Sequence, residues 1–183
     1  MKHIFILLTS LYVFGAFSLP VFAQAVKTDH VTAELGSEFL SISPNQTHTV
    51  AVRLEMDDHW HSYWANPGDS GLPTQIQWTL PKGITAGPIQ WPAPQWINYF
   101  DMVSYAYEGE VLLLVDLKVS DGFQSTGPVE LSANVDFLVC KEACIPGSAD
   151  LRLSLPLGDS AEQSLWKPKI EATRKELAHT MPE

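Results

Sequence analysis

Apolar and polar residues alternate along most of the chain from residue 31 onward. Successive side chains of a strand point to opposite faces, so this period of two predicts half-buried strands. Turn-forming residues separate the runs at positions 66–69, 81–83, 121–122 and 146–147. Many short strands between turns indicate an all-β fold, and we expect an immunoglobulin-like antiparallel β-sandwich. The alternating apolar positions are Val50, Val52 and Leu54; Ile76, Trp78 and Leu80; Val111, Leu113, Val115, Leu117 and Val119; Val129, Leu131, Ala133, Val135 and Phe137; and Leu151, Leu153 and Leu155.

Two stretches depart from this alternation. Residues 88–101 combine three prolines with four aromatic residues, which excludes a central strand and predicts an extended surface loop. After Leu157, Pro168 is placed to open a short helix that would carry Ile170, Ala172, Thr173 and Leu177. We therefore assign residues 24–157 to one domain and residues 158–183 to a linker or a short docking helix.

The first 23 residues have the pattern of an export signal. Lys2 and His3 precede an apolar run over residues 4–17, and small residues follow at Ala23 and Ala25. The alternative is an uncleaved membrane anchor, which needs about 20 apolar residues, and polar residues dilute this stretch. We expect a cleaved signal peptide over residues 1–23 and a periplasmic mature chain.

The charge balance excludes one class of partner. The chain has 11 basic and 21 acidic residues, which gives a formal net charge of −10 at pH 7. Binding to a phosphate backbone depends on clustered lysine and arginine, so we expect no nucleic-acid partner. An acidic surface keeps a protein soluble and can attract basic partners.

The two cysteines, Cys140 and Cys144, are separated by only three residues. A disulfide between them closes a loop of about five residues, worth about 2 kcal/mol in the chain-entropy model, against about 4.7 kcal/mol for a hundred-residue loop. The pair follows an apolar strand at residues 135–139 and precedes a turn, which places it at the rim of the sandwich. Thiol–disulfide exchange needs such an accessible position. The spacing alone leaves a structural bridge, redox exchange and metal binding open.

Four ordered runs of residues resemble the amino-terminal domain of DsbD-type transmembrane thiol:disulfide interchange proteins, and especially their ScsB-like relatives, which are linked to copper resistance. The similarity covers roughly residues 30–157. The runs are 59–73 (His-Trp-His-Ser-Tyr-Trp-Ala-Asn-Pro-Gly-Asp-Ser-Gly-Leu-Pro), 87–94 (Gly-Pro-Ile-Gln-Trp-Pro-Ala-Pro), 105–111 (Tyr-Ala-Tyr-Glu-Gly-Glu-Val) and 137–146 (Phe-Leu-Val-Cys-Lys-Glu-Ala-Cys-Ile-Pro).

The resemblance implies an immunoglobulin-like periplasmic domain with a redox pair at Cys140 and Cys144. In the family, the more carboxy-terminal cysteine forms the mixed disulfide, which implies that role for Cys144 and a resolving role for Cys140. A cap loop with an aromatic tip shields the family's pair, and Phe100 with the neighbouring Asp101 is the best match here. The polar and aromatic residues that flank the family's pair correspond to His61 and Tyr63.

The resemblance also implies partners. The family's domain takes electrons from a thioredoxin-like donor and passes them to periplasmic oxidoreductases, so we expect thioredoxin-fold partners and a role as the electron-carrying component of a protein-disulfide reductase. The family continues into a transmembrane domain, whereas this sequence stops at Glu183. We expect either a fragment or a free-standing carrier, which is served by a DsbD-type transmembrane domain in the same or another polypeptide.

Two other functions compete with this hypothesis. Cys140 and Cys144, together with His59 and His61, could bind copper, because reduced thiolates prefer Cu(I) and two histidines two residues apart would lie on one side of a strand. The sandwich could also carry an inert structural disulfide. Under the redox hypothesis no cofactor is expected beyond the disulfide itself.

Replacing both cysteines by serine should leave a cooperatively folding domain. The loop entropy of about 2 kcal/mol is small against a total stability of roughly 5–15 kcal/mol. Urea unfolding followed by circular dichroism measures this directly. A double variant that is unfolded at room temperature would mean that the bridge is structural.

Overall fold

Two antiparallel sheets form the molecule in a computed structural model that describes residues 24–99, 101–158 and 162–178. The described elements are eleven strands and one helix: β1 (Val26–Lys27), β2 (Val31–Ser37), β3 (Thr47–Met56), β4 (His61–Gly68), β5 (Gln75–Thr79), β6 (Ile84–Gln90), β7 (Gln95–Tyr99), β8 (Met102–Glu108), β9 (Glu110–Val119), β10 (Val129–Cys140), β11 (Cys144–Leu155) and α1 (Lys167–Lys175).

The strand order defines the sandwich. One sheet runs β1-β2-β3-β9-β6, and the other runs β11-β10-β4-β8-β7, with β5 also paired to β10. The core lies between the sheets and takes the alternating apolar positions of β3, β9, β10 and β11, which are almost all buried. This arrangement confirms the expected immunoglobulin-like antiparallel sandwich.

The longest pairing in the molecule joins β10 to β11. Twelve residue pairs run from Val129 opposite Leu155 to Cys140 opposite Cys144. Along β10 the odd-numbered residues face the core, so the even-numbered residues, Cys140 among them, lie on the outer face of the sheet. The hairpin therefore ends with both cysteines side by side on that outer face.

The prediction of a surface loop over residues 88–101 is wrong. Strand β6 continues to Gln90, and β7 pairs along its whole length with β8. Both β6 and β7 are edge strands, where a residue without an N–H group is tolerated. Pro88 lies at a break in the pairing of β6 with β9, and Pro92 and Pro94 precede β7. The prolines therefore exclude a central strand, as expected, but not an edge strand.

Helix α1 covers the outer face of the first sheet. Ile170 is fully buried against Ala51 of β3 and Leu112 and Leu114 of β9. The ring of Trp166, just before the helix, occupies the space where a side chain at Gly36 would lie, 2.0 Å from an added Cβ. Strands β3 and β9 are therefore buried on both faces, and the carboxy-terminal segment docks on the domain.

Ion pairs at both ends of the helix fasten it to the sheet. The Glu38 carboxylate accepts hydrogen bonds from Lys167 at 3.0 Å and from Arg174 at 2.9 Å. Beyond the helix, the Ala178 N–H donates to the carbonyl of Trp91, and the Ala93 N–H donates to the carbonyl of Glu176. The tail is thus hydrogen-bonded to the segment that leads into β7.

The described residues contain no helix that is long and apolar enough to cross a bilayer. The proposed signal peptide, residues 1–23, lies outside the described residues.

Replacing Ile170 by alanine should lower the free energy of unfolding by about 2–5 kcal/mol, because the change leaves a cavity between the helix and the sheet. The matched control is Leu165→Ala, which removes a similar side chain that is 92% exposed and should change stability by less than about 0.5 kcal/mol. Urea denaturation compares the two variants. Equal effects would show that the helix contributes little to the fold.

Candidate functional site

A disulfide bond joins Cys140 and Cys144, whose Cα atoms are 4.1 Å apart. Cys140 is the last residue of β10, Cys144 is the first residue of β11, and they are directly opposed in the strand pairing. The three residues between them form a turn in which the Lys141 N–H donates to the carbonyl of Ala143 at 3.2 Å. The sulfur pair therefore lies at the tip of a hairpin and is fixed by the strands on both sides.

The two cysteines differ sharply in exposure. Cys140 is 3% exposed, whereas Cys144 is an exposed residue. Strand β10 has neighbours on both sides, but β11 is the edge strand of its sheet. An incoming thiolate must approach the sulfur that it attacks along the S–S axis, so the difference in exposure makes Cys144 the more accessible residue of the pair.

A small apolar cluster covers Cys140 on the outer face of the sheet. Tyr63 of β4 and Ala106 of β8 are buried with it, and Ile97 and Leu138 pack against the group. These residues meet because Tyr63 is paired with Ala106, while Cys140 is paired with His61, two residues before Tyr63. Four neighbouring strands thus contribute to one patch beside the disulfide.

His61 lies opposite Cys140 on one side and opposite Glu108 on the other. Its Nε2 atom is 3.3 Å from the Tyr63 hydroxyl, within hydrogen-bond distance. Burial lowers the pKa of His61, an effect that the negative charge of Glu108 partly opposes. Burial also raises the pKa of the Tyr63 hydroxyl. Both side chains are therefore neutral at neutral pH.

The loop over residues 69–73 holds Tyr63 in place. Gly71 has a backbone φ of +106°, and a Cβ there would lie 2.2 Å from the Tyr63 ring, so glycine is needed for both reasons. The loop is tied to β8 by the Asp69 N–H, which donates to the carbonyl of Val103 at 2.9 Å, and by the Val103 N–H, which donates to the Asp69 carboxylate at 2.9 Å. The loop is thereby fixed over the site.

The structure brings some of the residues predicted from the sequence next to Cys140 and leaves others away from it. His61 and Tyr63 lie beside Cys140, as the flanking assignment requires. Asp101 is exposed in the turn of the β7–β8 hairpin, and β4 lies between that hairpin and β10. Phe100, the expected tip of the cap, lies outside the described residues. The sequence reasoning missed Ile97, although it belongs to the proline-rich stretch that was singled out.

His59 does not lie on a strand with His61, so that prediction is wrong. Strand β4 begins at His61, and His59 occupies the preceding turn with a left-handed φ of 67°. In the part of the chain that the structure describes, no group of three or more histidine, cysteine, aspartate or glutamate side chains is arranged to hold a metal ion. A copper role for the cysteines remains a prediction from sequence.

Comparison with known proteins gives one family. The model of the family described as "Thiol:disulfide interchange protein DsbD, N-terminal" matches residues 31–156, which include all the site residues above. A search of curated proteins found no match.

Several solved structures match, and two of them are periplasmic domains. The N-terminal periplasmic domain of ScsB from Proteus mirabilis has a TM-score of 0.63 and 17% identity, with 86% of this chain and 59% of that chain covered. This chain therefore spans less than two thirds of that domain, and the likeness supports the sandwich fold. The reduced N-terminal domain of DsbD from Neisseria meningitidis has a TM-score of 0.37 and 14% identity, with 66% and 84% covered.

Replacing His61 by glutamine should flatten the loss of stability at mildly acidic pH. Because the pKa of His61 is below its ordinary value of 6.5 in the fold, the unfolded chain binds more protons below pH 6.5 and stability falls as the pH falls. Urea midpoints between about pH 7.5 and about pH 5 measure the slope. His59→Asn is the control for loss of an exposed histidine. Parallel curves for wild type and His61→Gln would contradict the burial of an uncharged His61.

Proposed function

We propose that the Cys140–Cys144 disulfide exchanges electrons with thioredoxin-fold proteins. The chain belongs to the family of amino-terminal domains of the thiol:disulfide interchange protein DsbD, and this membership supports the proposal. One observation carries the proposal: the disulfide has one exposed residue on an edge strand and one buried residue on a central strand. A structural bridge does not need this asymmetry. An exchange reaction does, because it must direct attack to one sulfur.

The oxidised domain accepts electrons in two exchange steps. A thiolate of the donor attacks Sγ of Cys144, the Cys140–Cys144 bond breaks, and its electron pair leaves on Sγ of Cys140, which takes up a proton. The donor's second thiolate then attacks the donor sulfur of the mixed disulfide, and Cys144 leaves as a thiolate. The donor becomes oxidised and the domain holds two reduced cysteines, so that two electrons and the protons balance.

The reduced domain passes the electrons on by the reverse route. Burial disfavours a charged thiolate, so Cys144, rather than the covered Cys140, carries the negative charge more easily and attacks the acceptor's disulfide. Cys140 then resolves the mixed disulfide, since it lies directly opposite Cys144 in the hairpin. The neutral His61 and Tyr63 provide polar groups beside Cys140, and neither adds a charge near the Cys144 thiolate.

The proposal includes the setting that the family resemblance implies. We place the mature chain in the periplasm, exported by the signal peptide over residues 1–23, where it receives electrons from a thioredoxin-like donor supplied by a DsbD-type transmembrane domain. Its acceptors are periplasmic oxidoreductases. The role of an aromatic cap tip for Phe100 stays a prediction from the family resemblance, because Phe100 lies outside the described residues.

A Cys140→Ser variant should trap a mixed disulfide with an oxidised thioredoxin-like protein, because Cys144 remains to attack while the resolving thiol is absent. The reciprocal Cys144→Ser variant should trap about tenfold less, because its remaining thiol is buried. Non-reducing gels measure the adduct, and the double serine variant is the control. Equal trapping by both variants, or trapping through Cys140 alone, would reverse the assignment, and no trapping by either would support an inert bridge.

A further inference from the structure

A groove of about 430 Å³ opens on the outer face of the sheet next to the disulfide. Its floor consists of outward-facing residues of β10 and β11, and one wall is the loop that also holds Tyr63. We call it the flanking groove and define it by Leu72, Pro73, Asp136, Leu138, Pro146 and Ser148.

The flanking groove lies on the same face of the β10–β11 hairpin as the sulfur pair. Counted from the tip of the β10–β11 hairpin, the pair Leu138–Pro146 lies two residues beyond the cysteine pair. The pair Asp136–Ser148 lies two residues further from the tip. Residues two apart in a strand share a face and are separated by about 6.6 Å. On this face Leu138 and Pro146 therefore lie between the disulfide and Asp136, whose backbone is about 13 Å from that of Cys140.

The apolar part of the groove is already formed. Leu72 is 63% exposed, although the loop that carries it is tied to β8 through Asp69 and packs through Gly71 on the Tyr63 ring. Covering such a side chain with an apolar partner group is favourable, since about 25 cal/mol is gained per Å² of apolar surface removed from water. The groove can thus accept an apolar segment without reorganising the loop.

The far end of the groove is acidic. The carboxylate of Asp136 makes no ion pair or hydrogen bond with other residues in the described ranges. The chain as a whole carries a net charge of −10. A basic side chain is therefore the complementary group for this end.

We propose that the flanking groove binds the partner's polypeptide next to its reactive cysteine and selects an extended apolar segment that ends in a basic residue. The inference rests on the proposed exchange at Cys144. An extended chain advances about 3.3 Å per residue, so the basic residue belongs about four positions from the partner's cysteine. Leu72 and Asp136 are then specificity-determining residues for the choice of partner.

Synthetic peptides test this recognition directly. The probe peptide carries one reduced cysteine, three apolar residues and an arginine; the comparison peptide has glutamate in place of the arginine, and each is made in both chain directions. The peptide thiolate attacks Sγ of Cys144, the Cys140–Cys144 bond breaks, and Cys140 leaves as a thiolate that takes up a proton. Mass spectrometry measures the initial rate of mixed-disulfide formation with the oxidised domain at low ionic strength.

In one chain direction, the arginine peptide should react about tenfold faster than the glutamate peptide, and added salt should reduce this ratio. Asp136→Lys should invert the ratio, which a loss of folding could not do. Leu72→Ser should slow the arginine peptide relative to a peptide in which serines replace the three apolar residues. Leu165→Ser, an equally apolar exposed position outside the groove, should leave both ratios unchanged.

The experiment distinguishes failure of the groove proposal from failure of the exchange function. If dithiothreitol reduces the wild-type disulfide but the arginine and glutamate peptides react equally, or if Asp136→Lys leaves the ratio unchanged, the groove proposal is wrong and the exchange function stands. If neither dithiothreitol nor any peptide opens the disulfide of the wild-type domain, the exchange function fails, and the groove proposal fails with it.

Discussion

The pairing register of β10 with β11 is the constraint on which the site depends. Leu131 and Val135 of β10 and Leu151 of β11 face the core, and a slip of one residue would turn these side chains to the outer face. The cost of exposing that apolar surface holds the register. The same register brings Cys140 opposite Cys144 at the end of the hairpin, so packing far from the sulfurs determines their geometry.

The position of each strand in the sheet then makes the two cysteines unequal. Strand β10 is covered by neighbours on both sides, and Cys140 lies under Tyr63 and Ala106, whereas Cys144 begins an edge strand. The outer face of this sheet also carries the flanking groove, whose wall is the loop that holds Tyr63. One sheet and one loop consequently support the disulfide, the residues that cover Cys140 and the flanking groove.

The sequence allowed good prediction where one physical rule acts alone. Alternation located β3, β9, β10 and β11 because one face of each strand packs in the core. It could not show that Ala51 and Leu112 are buried as well, since their contacts come from helix α1, which lies much later in the chain. The prolines at positions 88, 92 and 94, which precede β7, concealed that edge strand. The turn at His59 depends on a backbone angle that composition does not reveal.

The reduction potential of the Cys140–Cys144 pair distinguishes an exchange-active disulfide from a structural one. The oxidised domain would be equilibrated with glutathione buffers of known potential, and the free thiols would be alkylated and counted by mass spectrometry. We expect a potential between about −270 and −120 mV, the range of exchange-active disulfides. A value below about −300 mV is typical of structural disulfides and would contradict the proposed exchange function.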